Sequence, residues 1–446
     1  MSVASRASIL PLASILPLTA TVDERGHLTI GGCDAVDLAR EYGTPLYVYD
    51  EETIRTRCAE YRDALASAYP NSLVIYASKA FTSPMLLQIL KEERIGLDVV
   101  SGGELHVAKV VDFPMDTVYF HGNNKGADEL AMALDLKIGR IVVDSFFELE
   151  LLGRLADNRG VRAPIVLRLS PGIDAHTHDY RKTGILDSKF GFPISTGQAE
   201  EAVRIAVATP SLNLIGFHAH VGSQIFELEP YQETIAVVLD FAAEMRDRHG
   251  VELREFSPGG GWGIAYTPDD DPEPTRKVGT MVGETVHTEL ARRGLGEPRV
   301  FIEPGRSIVG QAGVALYTVG GIKRIPSVRV YASVDGGMAD NIRPAIYGAR
   351  YEALLANRAN APAEELVTIA GKYCESGDLL IKDIELPTLE PGDILAIPAS
   401  GAYNLAMSSN YNMALKPAVV IVKDGQTKLM RRRQTFDDLL VGEEML

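Results

Sequence analysis

Four short stretches hold residue types that could do chemistry together. Lys79 lies in YASKAF, His220 and Ser223 in FHAHVGSQ, Gly259, Gly260 and Gly261 in SPGGGWG, and Glu303, Gly305 and Arg306 in EPGRSIV. A lysine amine held beside cations or apolar walls sheds its proton more readily and becomes a nucleophile. Three successive glycines let backbone N–H groups crowd around an anion. The stretch is not a dinucleotide fingerprint, because Ile264 stands where GxGxxG needs its last glycine, and no GK[ST] follows to make a Walker loop. An amine beside an anion cradle suits an aldehyde that carries a phosphate, which points to pyridoxal 5'-phosphate (PLP). Glu303 suits the same cofactor, since a carboxylate at the pyridine nitrogen keeps it protonated and makes the ring an electron sink. His220 is then placed to cover a ring face. Singly, each feature has a plainer reading: a solvated charge, a tight turn, a satisfied core histidine.

The elements that position these residues repeat along the chain. Apolar, β-rich runs occur at LVIYASK (73–79), GLDVVSG (96–102), TVYFHGN (117–123), RIVVDS (140–145), PIVLRLSPG (164–172), LIGFHAHVGS (214–223), LREFSPGGG (253–261) and RVFIEPGR (299–306). Between the early runs lie segments with leucine or valine at three- and four-residue steps, as amphipathic helices require: 84–93, 103–111, 127–136 and 145–157. The pattern predicts an α/β fold with a closed (β/α)8 TIM-type barrel, right-handed by the crossover rule; an open doubly wound sheet is the alternative, but nothing marks its switch point. Nearly every run turns polar at its C-terminal end: Lys79, Ser101, His121 with Asn123, Asp144, Arg168, His220 with Ser223, the glycine triplet, Glu303 with Arg306. In such a barrel those ends share one face, where active sites sit.

After residue 310 strands follow one another without long helices between them, which predicts a C-terminal all-β domain, sandwich- or barrel-like, over 311–446. The barrel is expected over 49–310, strands over 25–48 that join the β domain, and a flexible extension over 1–24 with a duplicated SILPL at 8–12 and 14–18. Proline interrupts both copies and no clean cleavage site follows, so a secretory signal is disfavoured. The formal charge of −16 argues against a nucleic-acid or anionic-membrane surface, and no apolar run reaches membrane-spanning length. Three cysteines without a CxxC fit reduced thiols in the cytoplasm. No metal is expected: His176 and His178 of AHTHD read as loop residues, since their spacing alone makes no zinc site.

In order, YASKAF, LDVVSGGEL, HGNNK, SKFGF, FHAHVGSQ, SPGGGWG, EPGRSIV, DGGMADNIRPAIY, CESGD and GAYN resemble the alanine-racemase-like (fold type III) PLP-dependent decarboxylases, most of all the diaminopimelate decarboxylases. The resemblance runs from about residue 25 to the C-terminus. It implies a homodimeric lyase that converts meso-2,6-diaminopimelate to L-lysine and CO2, the last step of lysine synthesis. It implies that Lys79 carries the cofactor as a Schiff base and that His220 stacks on it. Ser223, Gly259, Gly260, Gly261, the EPGR backbone through Gly305 and Arg306, and Tyr403 would hold its phosphate, and Glu303 its ring nitrogen. Arg306, Arg343 and Tyr347, with Tyr403 nearby, would grip the substrate's distal carboxylate. Glu375 would read the distal ammonium, and Cys374 of the partner subunit would return the proton. The residues agree with this: a substrate with an ammonium and a carboxylate at its far end needs a cation, preferably arginine, and an anion. Decarboxylases of ornithine, arginine or carboxynorspermidine are the nearer rivals. A racemase is a further one, disfavoured because that class uses an arginine where Glu303 stands. A lid is conceivable around Asp179–Lys189.

Overall fold

The computed structural model describes residues 12–173 and 188–446. His176, His178, nearly all of the first SILPL copy and 179–187 of the conceivable lid lie outside the described residues. The chain forms two compact units, 57–263 with 272–307, and 1–56 with 264–271 and 308–446. The barrel expected over 49–310 corresponds to the first of these, with 264–271 falling to the other unit.

The first unit is built on β1 (Ser72–Ala77), β2 (Gly96–Val99), β3 (Val118–Phe120), β4 (Arg140–Val143), β5 (Ala163–Ser170), β6 (Leu212–Ala219), β7 (Glu255–Ser257) and β8 (Arg299–Ile302). Each overlaps one of the expected runs. Neighbours pair in parallel all the way round: β4 meets β5 at Val142↔Val166, and β8 meets β1 at Phe301↔Leu73, which closes the barrel. The four expected helices form at Pro84–Glu92, Gly102–Val110, Ala127–Asp135 and Phe146–Asp157.

Local chemistry starts these helices. Ser101 accepts from Glu104 N while Glu104 accepts from Val100 N; Ser145 and Glu148 do the same with Asp144 N. Such reciprocal S-x-x-E capping satisfies amides that the first helical turn leaves open. Ser101, grouped above with the reactive strand ends, is spent on a helix cap. The barrel interior is filled. The rings of Tyr119 on β3 and Phe301 on β8 lie 4.4 Å apart, and Arg140 on β4 pairs with Glu255 on β7. Neither pair joins neighbouring strands, so both contacts cross the interior.

In the second unit, strands order as 379–386, 365–370, 329–334, 313–325, 46–50, 418–423 and 426–431, with 394–397 added beside 313–325. LYVYD (46–50) is buried along its whole length at the centre of this sheet, between an antiparallel and a parallel neighbour. Leu28–Ile30 forms a separate three-stranded sheet with Thr21–Val22 and Cys33–Asp34. The flexible extension expected over 1–24 is corrected for residues 12–24. Leu16 of the second SILPL copy is buried in a core with Val48, Val314 and Val420, and its carbonyl accepts from Gln311 Nε2 at 2.8 Å. Among the described residues no helix is long and apolar enough to cross a membrane.

Candidate active site

The C-terminal ends of the barrel strands assemble a chain of charged and polar groups. Lys79 follows β1 in a single turn, Ser78–Ala80, and its Nζ lies 3.6 Å from Asp98 Oδ2. Asp98 belongs to β2 and pairs in register with Ala77, which brings it beside the lysine. It is 1% exposed, and among the described residues neither carboxylate oxygen has a hydrogen-bond partner. His121, one residue past β3, places Nε2 3.8 Å from Asp98 and 3.5 Å from Glu303. Glu303, one residue past β8, is held by His218 Nε2 of β6 at 3.0 Å and by Ser257 Oγ of β7, which donates to Oε1 at 3.1 Å. His218 and Ser257 are register partners, so two adjacent strands aim at one carboxylate.

Electrostatics divides these acids into two kinds. Burial pushes Asp98 up to about 7; Lys79 offsets this in part, and Glu303 reinforces it. Glu303 goes the other way. Burial opposes its ionisation, but His218, His121 and Lys79 outweigh that and hold it well below the ordinary range. Burial also drives the His121 and His220 imidazoles well below 6.5, towards the neutral form. With His121 neutral, the ionised state of Glu303 rests on the His218 contact and on Lys79. His121, His218 and Glu303 place ligating atoms within 4.8 Å of one another, but Glu303 already accepts from Ser257 and contacts His218.

The glycine triplet is where the ends of β6, β7 and β8 meet backbone to backbone. A Cβ on Gly259 would lie 2.5 Å from Ala219 O, on Gly260 2.0 Å from Glu303 O, and on Gly261 2.0 Å from Gly222 O. Gly259 (φ +85°) and Gly261 (φ +106°) also adopt backbone that favours glycine. Two of the triplet's amides are engaged inside the protein: Gly259 N donates to Ser257 Oγ at 3.0 Å, and Gly260 N to His220 Nδ1 at 3.3 Å. The triplet's first task is therefore close packing rather than presenting three outward amides. Its second is to make His220 Nδ1 an acceptor, which leaves the ring proton on Nε2. Arg306 Nη2 donates to Ser223 Oγ at 3.1 Å, and a Cβ on Gly305 would lie 2.9 Å from Ala77 Cβ. A buried ionised acid, a strand-end amine and a glycine junction within one barrel mouth fit PLP.

The remaining expected residues lie in the second unit. Arg343 opens a one-turn helix, Arg343–Tyr347, and is buried; Tyr347 ends that helix half-buried. Tyr403 is half-buried with φ +62°. Cys374 is an exposed free thiol and Glu375 is exposed beside it. Their loop is shaped by Asp378, whose carboxylate accepts from Met338 N at 2.7 Å and Tyr373 N at 2.9 Å.

Asp98, His218, Ser257 and Asp378 were not singled out from the sequence. Three of them sit inside strands, where they read as core positions. One signal was available: His218 and His220 are two apart in FHAHVG, so strand alternation puts them on the same side.

Residues 51–310 match the family model for the pyridoxal-binding domain of pyridoxal-dependent decarboxylases. The chain is 47% identical to the diaminopimelate decarboxylase of Bacillus subtilis, covering 95% of this chain and 96% of the relative. It is 41% identical to the Mycobacterium tuberculosis diaminopimelate decarboxylase, covering 96% and 97%. A solved structure of the M. jannaschii diaminopimelate decarboxylase in co-complex with L-lysine is similar with a TM-score of 0.89 at 34% identity, covering 96% of this chain and 98% of that one.

Proposed function

This chain belongs to the pyridoxal-dependent decarboxylases and, among them, to the diaminopimelate decarboxylases, and on that premise we propose a division of labour among its residues. The enzyme removes one carboxylate of meso-2,6-diaminopimelate as CO2 and yields L-lysine, the last step of lysine biosynthesis by that route. PLP, when bound, supplies the electron sink for the bonding pair that CO2 leaves behind. Lys79 anchors the cofactor, and Asp98, 3.6 Å away, is an acid that can share the amine's proton. Glu303 would face the ring nitrogen, and the His218 and Ser257 contacts favour its ionised form. His220 would cover a ring face; Ser223, Gly261, Gly305, Arg306 and Tyr403 would hold the phosphate, with Gly259 and Gly260, whose amides donate to Ser257 and His220, shaping the junction beside it.

Arg306, Arg343 and Tyr347 grip the distal carboxylate, and Glu375 receives the distal ammonium. Cys374 of the partner subunit delivers the proton to the carbon that lost CO2. The exposure of Cys374 and Glu375 supports a homodimer whose sites use both subunits. The free thiols among the described residues are in keeping with a cytoplasmic enzyme.

The observation that carries this reading is the buried Glu303, held by His218 and Ser257, at the same barrel mouth as Lys79. The test is CO2 release from meso-diaminopimelate beside ornithine. Diaminopimelate is expected to be preferred by ~100-fold or more in kcat/KM, since an unfilled carboxylate clamp penalises the shorter diamine acid. Equal turnover, or a preference for ornithine, would overturn it.

A further inference from the structure

Arg343 is 2% exposed, yet the groups that act on it are the tyrosines 266, 351 and 403, and among the described residues no carboxylate pairs with it. Two other buried cations have an acid beside them. Lys125 and Arg168, buried cations of the barrel unit, face Glu148 at 2.7 Å and Asp144 at 3.6 Å. Asp340, a buried acid in Arg343's own unit, is taken by Tyr47 at 3.1 Å, by Tyr317 and by Gly337 N at 3.0 Å. A buried guanidinium without an acid is costly unless a ligand brings the anion.

The side chain is nonetheless fixed. Its guanidinium carbon lies 4.4 Å from the ring centroid of Tyr266 and 5.4 Å from that of Tyr351. The two rings stand edge to face, 5.4 Å apart at 82°, and form a corner around the cation. Arg343 Nη1 donates to the Tyr351 hydroxyl, which donates in turn to Asn404 Oδ1 at 3.1 Å. Because Asn404 takes the hydroxyl proton, the oxygen's lone pairs are left to accept from the arginine.

We propose that Tyr266, Tyr351 and Asn404 are the positioning residues of the distal-carboxylate clamp, and that by ordering Arg343 in advance they make the enzyme distinguish ligands by the carboxylate at the far end. This rests on the reading that Arg343 receives that carboxylate. The entropy of ordering a long side chain is then lost at folding and not at binding. The aromatic corner also keeps water from competing for the guanidinium without offering it a rival anion.

The experiment uses the holoenzyme and two competitive inhibitors of diaminopimelate turnover, L-lysine and 1,5-diaminopentane, which differ by the carboxylate alone. In Tyr351→Phe, inhibition by L-lysine is expected to weaken about tenfold, the size of one hydrogen bond to a charged group, with the diamine unchanged. KM for diaminopimelate rises in step and kcat stays within about twofold. Tyr266→Leu, which removes the ring, loses the L-lysine preference; this variant carries the test if Tyr351→Phe does not fold. Equal weakening of both inhibitors, a loss confined to kcat, or no change would each overturn the proposal. Failure of the wild type to release CO2 from diaminopimelate would instead sink the reading beneath it.

Discussion

His218 Nε2 and the Glu303 carboxylate lie 3.0 Å apart, each almost completely buried, one on a barrel strand and the other just past the end of another. The pair keeps an ionised acid where burial alone would neutralise it. A carboxylate whose folded pKa is depressed stabilises the fold above its unfolded value, and that contribution is lost as pH falls through the folded value. In His218→Leu the folded pKa rises, so the acid-side fall in melting temperature should begin at higher pH than in wild type. Melting curves of the two proteins between pH 3 and 6 check this, and coincident acid limbs would contradict it. Glu303→Gln, which keeps shape and removes charge, should lower kcat by about 10²–10³-fold while KM changes little.

Asp98 has the opposite sign. Its folded pKa of about 7 lies above the ordinary 3.8, so the fold favours its protonated form and loses stability as pH rises through that window. Asp98→Asn removes the titration. The variant should gain on wild type as pH rises from 5 to 8, by a few kcal/mol at most given partial compensation by Lys79. Denaturant midpoints of the cofactor-free proteins measure it; a constant difference across pH would refute it.

Gly260→Ala and Gly261→Ala place a methyl group against backbone that has no room to yield, 2.0 Å from Glu303 O and Gly222 O respectively. Each should lower stability by roughly 3 kcal/mol or more, as overpacking and backbone strain do. Cofactor retention on dialysis should fall further in these variants than in Gly153→Ala. There the new methyl would come 3.1 Å from a Thr209 side-chain methyl, away from the strand ends.

Lys79→Ala should abolish turnover and the visible absorbance of the bound cofactor, and Cys374→Ala should abolish turnover while keeping the colour. If each site takes its amine from one subunit and its thiol from the other, mixing the two inactive proteins restores one intact site per mixed dimer. About a quarter of wild-type activity is expected after random exchange. No recovery in a mixture shown to contain hybrid dimers would rule out shared sites.

The barrel was legible because its signals are local. Runs such as RIVVDS, and leucine or valine at three- and four-residue steps between them, declare strand and helix within a few residues. Lys79, His220 and Glu303 were legible for a related reason: reactive types recurring at strand ends need only the fold class to bring them to one face. LYVYD could be read as a strand but not placed. Its neighbours, 313–325 and 418–423, lie hundreds of residues away, and periodicity does not choose partners.

The sequence by itself determined the barrel strands and the four early helices, since these follow from residue type and short-range spacing, and the cofactor class, which the ordered motifs carry. Tertiary structure alone decided the state of the acids and the hold on Arg343. Asp98 beside Lys79, His218 against Glu303, and Tyr266 with Tyr351 around Arg343 all join distant segments. Charge state depends on burial and on which groups close the last few ångströms, and those are set only when the sheets pair in register.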